Sequence, residues 1–359
     1  MKLIDWYIFR KFIGTFVLFF VLLMMIAVVI DISEKLDDFT VNGAKLHEIV
    51  NDYYINFIAL YGNLFSALIL FLSTIYFTSK MANNTEIVPI LTGGRSFARF
   101  TLPYFMGAFI VFLISSAVNH YIIPITNVDR LDFEMKYTKV RDERKTQNRF
   151  RQVQPGHFVY FRSFTPERNT GYNFAYYVVE DQKLKSALNV DYMRFDTVTG
   201  NWRLQTWRLR EIHPDGTESI SQGQQKDTAF VFNADDIVPK LFATEMMTTP
   251  QLLDFIEKEE MRGSETLNNH LIELNKRSSY PFSSFILVLI AVSISSRKRR
   301  GGLGVNIAIG LVLVMIYIFF MEVSTSLSKA GSVSPALAVW TPNIVFGLLG
   351  LYTFRVAPK

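Results

Sequence analysis

Six stretches of the chain run apolar from end to end with no polar stripe: residues 12–30, 55–78, 100–123, 280–295, 305–327 and 336–354. A helix crossing ~30 Å of hydrocarbon needs ~20 such residues, so each stretch predicts a transmembrane helix. Residues 280–295 are short, and flanking serines extend them. The fifth stretch carries Glu322, and the sixth holds Trp340 and Pro342 near its start. Core helices of a soluble bundle would show an amphipathic face, and these do not. The first run follows Lys2, Arg10 and Lys11, as a secretory signal would. It is longer than a signal core of ~7–15 residues and ends in Asp31-Ile32-Ser33-Glu34 rather than a small-residue cleavage site. It reads as a retained helix.

Between the third and fourth runs the pattern changes period. Residues 157–164, 173–180, 187–195, 202–210 and 228–232 are rich in aromatic and β-branched side chains. Trp202, Leu204, Thr206, Arg208 and Arg210 alternate with Arg203, Gln205, Trp207 and Leu209, the period of two expected of a strand. Thr199-Gly200-Asn201 and Pro214-Asp215-Gly216 supply turn chemistry, with Glu180-Asp181-Gln182-Lys183 weaker. An antiparallel meander follows, able to close as a sandwich or jelly roll. Beyond it, Thr249-Pro250 reads as a helix cap and first turn, with Leu252, Phe255 and Ile256 at helical spacing. The helical pattern resumes over 266–276 and leads into the fourth span. The expected organisation is residues 1–125 with three spans, 126–275 as a β domain on helical stalks, and 276–359 with three more spans.

Charge orients this arrangement. With both termini inside, the inner segments are 1–11, 79–99, 296–303 and 355–359, holding twelve basic residues against only Asp5 and Glu86. The first outer loop is acidic, with Asp31, Glu34, Asp37, Asp38, Glu48 and Asp52 outnumbering Lys35 and Lys45. By the positive-inside rule the termini are cytoplasmic and the β domain lies outside. The net charge of +5 therefore marks topology rather than nucleic acid. The 297–300 run of Arg and Lys, confined to a short loop, reads as an anchor on anionic lipid. Cysteine is absent, which excludes disulfides, iron–sulfur clusters and thiol catalysis.

Catalytic motifs are missing. No P-loop, H-E-x-x-H or G-x-S-x-G pattern occurs, and the five histidines never pair at ligand spacing. No catalytic, cofactor-binding or metal-binding residue is expected. His120 reads as a satisfied interfacial residue rather than a proton relay. Glu259-Glu260 read as a solvated helix face. Glu322 is either a polar group near the outer surface or a contact in a substrate cavity. Residues 84–94 are more specific. Asn84 or Thr85 can cap a helix, Glu86 suits its first turn, Pro89 pins its start near Glu86, and Gly93-Gly94 stop it. A two-turn helix between two spans is either a plain connection or the docking arm of an ABC-type permease.

Several of these residues together resemble one family over essentially the whole chain. Ile4-Asp5-Trp6-Tyr7-Ile8 resembles the L-D-R-Y-I opening of the LptF/LptG lipopolysaccharide-export permeases. Glu86-Ile87-Val88 with Gly94 and Ser96 is similar to their E-[LIV]-V…G-x-S motif. Asn119, Pro124 and Asn127 resemble their third-span exit, and Pro335…Trp340-Thr341-Pro342-Asn343 their sixth-span start. His157-Phe158-Val159-Tyr160 and Asn201-Trp202-Arg203-Leu204 look like their β-domain strands. Length and β-domain spacing favour the LptG type.

The resemblance implies an α-helical inner-membrane protein of six transmembrane helices with an inserted, jelly-roll-like all-β periplasmic domain. It implies a second LptF/LptG-type permease, a dimeric LptB-type ATPase carrying ATP and Mg, and LptC/LptA-type periplasmic jelly-roll proteins as partners. It implies lipopolysaccharide as cargo, extracted from the membrane and passed to a periplasmic bridge. Glu86, Ile87, Val88, Gly94 and Arg95 would form the ATPase-coupling segment, with Glu86 paired to a basic residue. Breaking such a desolvated pair costs ~3–5 kcal/mol. Lys35, Tyr317, Phe319, Phe320 and Glu322 would contribute to a lipid cavity lined by the first and fifth spans. Two departures stand out: Asp31, Asp37 and Asp38 surround Lys35 where relatives carry lysines, and Asn63 replaces a proline early in the second span. The acids would repel lipid phosphates unless a divalent cation bridges them or the lipid carries fewer phosphates. A scaffold or mechanotransmitting subunit, or a secondary transporter with ionisable pairs at mid-membrane, are the competing readings.

Overall fold

The computed structural model describes residues 3–138, 147–165, 168–197, 199–213, 215–230, 232, 243–264, 266–298 and 302–357. Two compact units contain them. The helical unit comprises Met1–Val140, Thr244–Leu252 and Asn268–Lys359; the β unit comprises Arg141–Ala243 and Leu253–Leu267.

The helical unit contains α1 (Leu3–Val41), α2 (Leu46–Asn83), the short α3 (Ile87–Thr92), α4 (Phe97–Tyr137), α6 (Leu267–Ser295), α7 (Gly302–Lys329) and α8 (Pro335–Val356). Six of these are long and apolar enough to cross a membrane, as the hydropathy pattern predicts. Several exceed the apolar run that announces them. At ~1.5 Å per residue α1 spans about 58 Å, well beyond a ~30 Å hydrocarbon layer. The helical pattern expected over 266–276 and the fourth span form one uninterrupted helix, α6.

α6 is the axis of this unit: 67% of its most apolar window is buried, against 6% for α1. Leu287, Val288, Ile290, Ala291 and Val292 are sealed between two apolar clusters. One gathers side chains of α1, α2, α3 and α4, the other those of α2, α7 and α8. Glycines permit the closest approaches. A Cβ on Gly107 of α4 would stand 2.5 Å from the Phe12 ring of α1, and one on Gly310 of α7 would stand 2.2 Å from Ile75 of α2. Small residues at such crossings replace hydrophobic driving force with close packing.

α2 and α4 are not uniformly α-helical. Ile49–Tyr54 and Val118–Ile122 are π turns, in which the Ile55 N–H reaches the Val50 carbonyl and the Ile123 N–H reaches the Val118 carbonyl. The second widened turn immediately precedes Pro124, whose ring and missing N–H disturb a regular ladder. At Asn63, where the resemblance leads one to expect a proline, α2 continues without interruption.

The β unit holds one six-stranded antiparallel meander: β1 (Gln147–Gln154), β2 (His157–Thr165), β3 (Thr170–Glu180), β4 (Lys183–Phe195), β5 (Trp202–Ile212) and β6 (Glu218–Thr228), each paired to the next. β2 to β5 are the strands that alternation predicts. Their inward residues Phe161, Phe174, Val190, Met193, Trp202 and Leu204 form the core. The segment 228–232 departs from expectation. Only Thr228 lies in a strand, while Phe230 and Phe232 cap the core with rings packed on Phe174 and Tyr176; Val231 lies outside the described residues. The Trp202 indole N–H donates to the Phe232 carbonyl at 3.2 Å.

Helix α5 (Thr249–Met261) begins in the helical unit and continues in the β unit. Two expectations about it require correction. Its start is organised by Thr248, whose N–H and hydroxyl both donate to the Gln251 side chain; Thr249 is not the cap, and its hydroxyl is used elsewhere. Glu259 is not on a solvated face. It is buried and pairs with Arg151 of β1 and with Arg262, whereas Glu260 is exposed.

Candidate functional site

The helical unit carries polar constructions at both ends of its helices and apolar cavities between them. At the end where α1 begins, α3 is tethered by unusual backbone: Thr85 has φ +60° and Gly94 φ +81°, the left-handed region that glycine tolerates. Glu86 occupies the residue before the helix, and its carboxylate accepts from the Asn84 amide at 3.0 Å. Asn84 thus holds Glu86 rather than capping α3. Ile87 inserts into the apolar cluster with Met81 and Phe97. Val88, by contrast, is 59% exposed, and Pro89, Thr92, Gly93 and Gly94 share its exposure. The segment therefore has one anchored residue and an outward apolar tip.

Arg95 turns back from this tip. Its guanidinium lies 2.7 Å from Oδ1 of Asp5, and Arg99 lies 2.8 Å from Oδ2. Asp5 is 1% exposed. Both oxygens of a buried carboxylate on α1 are thereby held by cations flanking the start of α4. Charge-assisted bonds of this kind are short and strong where water is excluded.

At the opposite end, a chain of hydrogen bonds joins segments far apart in the sequence. Asp31 of α1 accepts from the hydroxyls of Tyr53 and Tyr54, each at 3.1 Å, and pairs with Lys35 at 3.2 Å. Lys35 also bonds the Tyr53 hydroxyl and pairs with Glu134 of α4 at 3.1 Å. Arg130 bridges Glu134 at 3.0 Å and Asn127 at 2.7 Å, and Asn127 donates to Glu245 at 3.3 Å. Glu245 sits in the 3-10 turn Ala243–Met246. From there buried Arg277 of α6 donates to the Thr244 carbonyl at 2.8 Å and to the Thr249 hydroxyl at 3.1 Å. His120 meets the same hydroxyl at 2.8 Å, which gives it the satisfied role expected of it. Asn119 donates to the Arg277 carbonyl at 3.4 Å and accepts from Asn63 at 2.6 Å. Burial, followed by the neighbouring Glu273 charge, pushes the Glu245 carboxyl above the ordinary carboxylate range.

Lys35 is therefore compensated by two carboxylates, and Asp31 is not an open rim charge. Among the described residues no cluster of three or more His, Cys, Asp or Glu side chains could hold a metal. The remaining cavity residues separate. Tyr317 and Glu322 line a cavity of about 260 Å³ with Asn63, Leu64 and Phe65 of α2 and Tyr280 of α6. Phe319 is 70% exposed on the outer side of α7, and Phe320 packs into the cluster behind it. α1 borders a different, larger cavity of about 380 Å³ through Phe16, Val17 and Phe20, opposite Ile58 of α2 and Ile114 of α4. Asn63 and Ser66 line both. Behind the first cavity the Tyr317 hydroxyl donates to Asn343 at 2.8 Å, and the Asn343 amide donates to the Ser279 hydroxyl at 2.7 Å.

Sequence reasoning passed over Arg130, Glu134, Glu245 and Arg277. Asn127, Arg130 and Glu134 do stand at helical i, i+3 and i+7 spacing, the visible trace of a paired face. Arg277 shows the same i, i+4 trace with Glu273, at 3.5 Å, but its bonds to Thr244 and Thr249, like that of Glu245 with Asn127, join residues far apart along the chain and left none.

A comparison with known families finds that the model of the lipopolysaccharide export system permease LptF/LptG matches residues 6–356. No curated protein matches the chain.

Proposed function

The chain belongs to the LptF/LptG family of lipopolysaccharide export permeases, as a multi-pass inner-membrane transport subunit, and from that premise we propose that it is the non-catalytic half of an ATP-driven lipid extractor. In this reading α3 docks on a separate ATPase, α1 and α7 border the lipid path, and the β unit receives the lipid outside the membrane. The termini and α3 lie in the cytoplasm, as the basic inner segments require, and the β unit is periplasmic.

The observation that carries this proposal is the form of α3: Ile87 roots it in the core while Val88 stands outward beside Glu86. A plain connection has no reason to expose an apolar residue next to a held carboxylate. A groove on an ATPase gives it one, with Val88 filling an apolar notch and Glu86 meeting a basic side chain. Acyl chains suit the cavity bordered by α1, whose lining is almost wholly apolar. The polar wall of Tyr280, Tyr317 and Glu322 suits a more hydrated part of the ligand. A secondary transporter would place ionisable pairs at mid-membrane. Among the described residues, the helical unit's ion pairs stand near helix ends.

The test uses the purified complex in liposomes containing lipopolysaccharide. Glu86→Ala is expected to abolish ATP-dependent lipid release while the chain still accumulates and folds. Undiminished release would overturn the docking assignment.

A further inference from the structure

We propose that Asp5, gripped by Arg95 and Arg99, is a positioning residue that hands the displacement of α3 to the first span. The inference rests on α3 being the ATPase-docking element, and it concerns what happens to the motion once it arrives.

A push on α3 has a poor exit through its own backbone. The helix ends in Gly93-Gly94, with Gly94 at φ +81° and no side chain to brace it. Two consecutive glycines absorb movement by rotating about soft dihedrals. Arg95 is the first residue beyond them with a side chain, and it does not face solvent. It binds Oδ1 of Asp5 at 2.7 Å, while Arg99, on the first turn of α4, binds Oδ2 at 2.8 Å. The Ser96 hydroxyl accepts the Arg99 N–H at 3.3 Å, so the start of α4 is fixed around the same carboxylate. A single buried acid thus fastens three elements: the end of the α3 loop, the beginning of α4 and the beginning of α1.

The remainder of α1 shows why that fastening matters. Its buried residues are Asp5, Ile8 and Phe12 near the start, Met24 in the middle and Phe39 near the far end. Between the two end anchors the helix presents Leu18, Val21, Leu22 and Met25 outward. A continuous α-helix behaves as a rod, and displacement entering at Asp5 travels along it to the mid-length contact of Phe20 and Met24 with Gly62 of α2 and on to Phe39. Ile8 and Phe12 share the apolar cluster with Ile87, so the ionic grip is backed by packing.

The decisive measurement separates transmission from assembly. Asp5→Asn preserves volume and two acceptor or donor positions but removes the charge. In the reconstituted complex with its ATPase and partner permease, ATP hydrolysis is expected to stay within two-fold of wild type. Lipopolysaccharide released per ATP should fall at least five-fold, and Asp5→Glu should restore at least half of it. The chain has no cysteine, so a spin label at Val21→Cys reports on α1 directly. Its mobility should change on nucleotide trapping with Asp5 present and stay constant with Asp5→Asn. If Asp5→Asn releases lipid at the wild-type yield per ATP, the proposal is overturned. It is equally overturned if hydrolysis and release fall together, because that marks a defect of assembly. Glu86→Ala run in parallel separates the two readings: loss with Glu86→Ala but not with Asp5→Asn sinks only the clamp, and loss with neither sinks the docking reading too. Should Asp5→Asn fail to accumulate, Arg99→Gln, which removes one of the two cations while Arg95 still pairs the buried acid, is judged by the same criteria.

Discussion

The meander of the β unit and the interior of the helical unit use the same kind of ion pair in opposite surroundings. In the β unit Arg203–Asp227, Arg210–Glu218 and Lys185–Glu180 lie on the exposed strands of the meander, each partner roughly half open to water. In the helical unit Asp5, Arg130, Glu134 and Arg277 are sealed among side chains, and each has more than one partner. Screening and side-chain entropy consume most of the gain of an exposed pair. A buried pair has already surrendered its hydration, so losing one member leaves the other stranded. The meander therefore keeps its shape through aromatic packing, while buried paired charge adds to apolar packing in the helical unit and, at Glu259, on the helix of the β unit. Substitutions that exchange these currencies show how sharp the division is.

The largest effect belongs to the β core. Trp202→Ala removes a fully buried indole that packs on Phe164, Phe195 and Phe232. It should cost about 4 kcal/mol, seen as earlier proteolysis of the β unit while the helical unit stays intact. Next comes Arg130→Ala, which leaves Glu134 with Lys35 alone. A loss of about 3 kcal/mol is expected, read as a lower melting temperature of the purified protein in detergent. Tyr317→Phe should cost about 1 kcal/mol by depriving the buried Asn343 carbonyl of its donor. Arg203→Ala and Arg210→Ala should leave the melting temperature unchanged. A drop comparable to that of Arg130→Ala would erase the distinction between the units.

Acidity adds a finer probe. The Glu245 carboxyl is raised in the folded state, so its protonated form is the one favoured there. Its stabilising contribution is present below the ordinary value of 4.5 and is lost as pH rises through the raised folded value. Glu245→Gln should flatten that decline, giving a protein more stable than wild type at neutral pH and little different at acid pH. Melting curves across that range check it.

Much of this was legible in the chain because it depends on local pattern. Unbroken hydrophobicity marks six spans, and alternation marks β2 to β5. β6 escaped notice because Glu218–Thr228 has Ile220 as its sole large apolar residue. It is a strand through pairing with β5, not through its own propensity. The α3 segment was visible since cap, proline and glycine signals are local. Arg95 beside Asp5, ninety positions apart, was not, and neither was Arg277 beside Thr244. Neither is periodic, and both pairs exist only once the helices pack. Glu259 misled for a related reason: a run of charge says nothing about a distant arginine waiting for one of its members.

The π turn at Ile49–Tyr54 has a consequence for how this chain tolerates change in length. Neighbouring residues on a regular helix diverge by about a quarter turn or more, yet Tyr53 and Tyr54 both bring their hydroxyls to Asp31. The surplus residue of the widened turn is what brings the two rings onto one side. Deleting a single residue there would regularise the ladder and still do harm. Consecutive residues of the regular turn diverge by about 100°, and one tyrosine would be carried off its acid. An insertion or deletion elsewhere in the exposed loops costs only slack; here it costs phase.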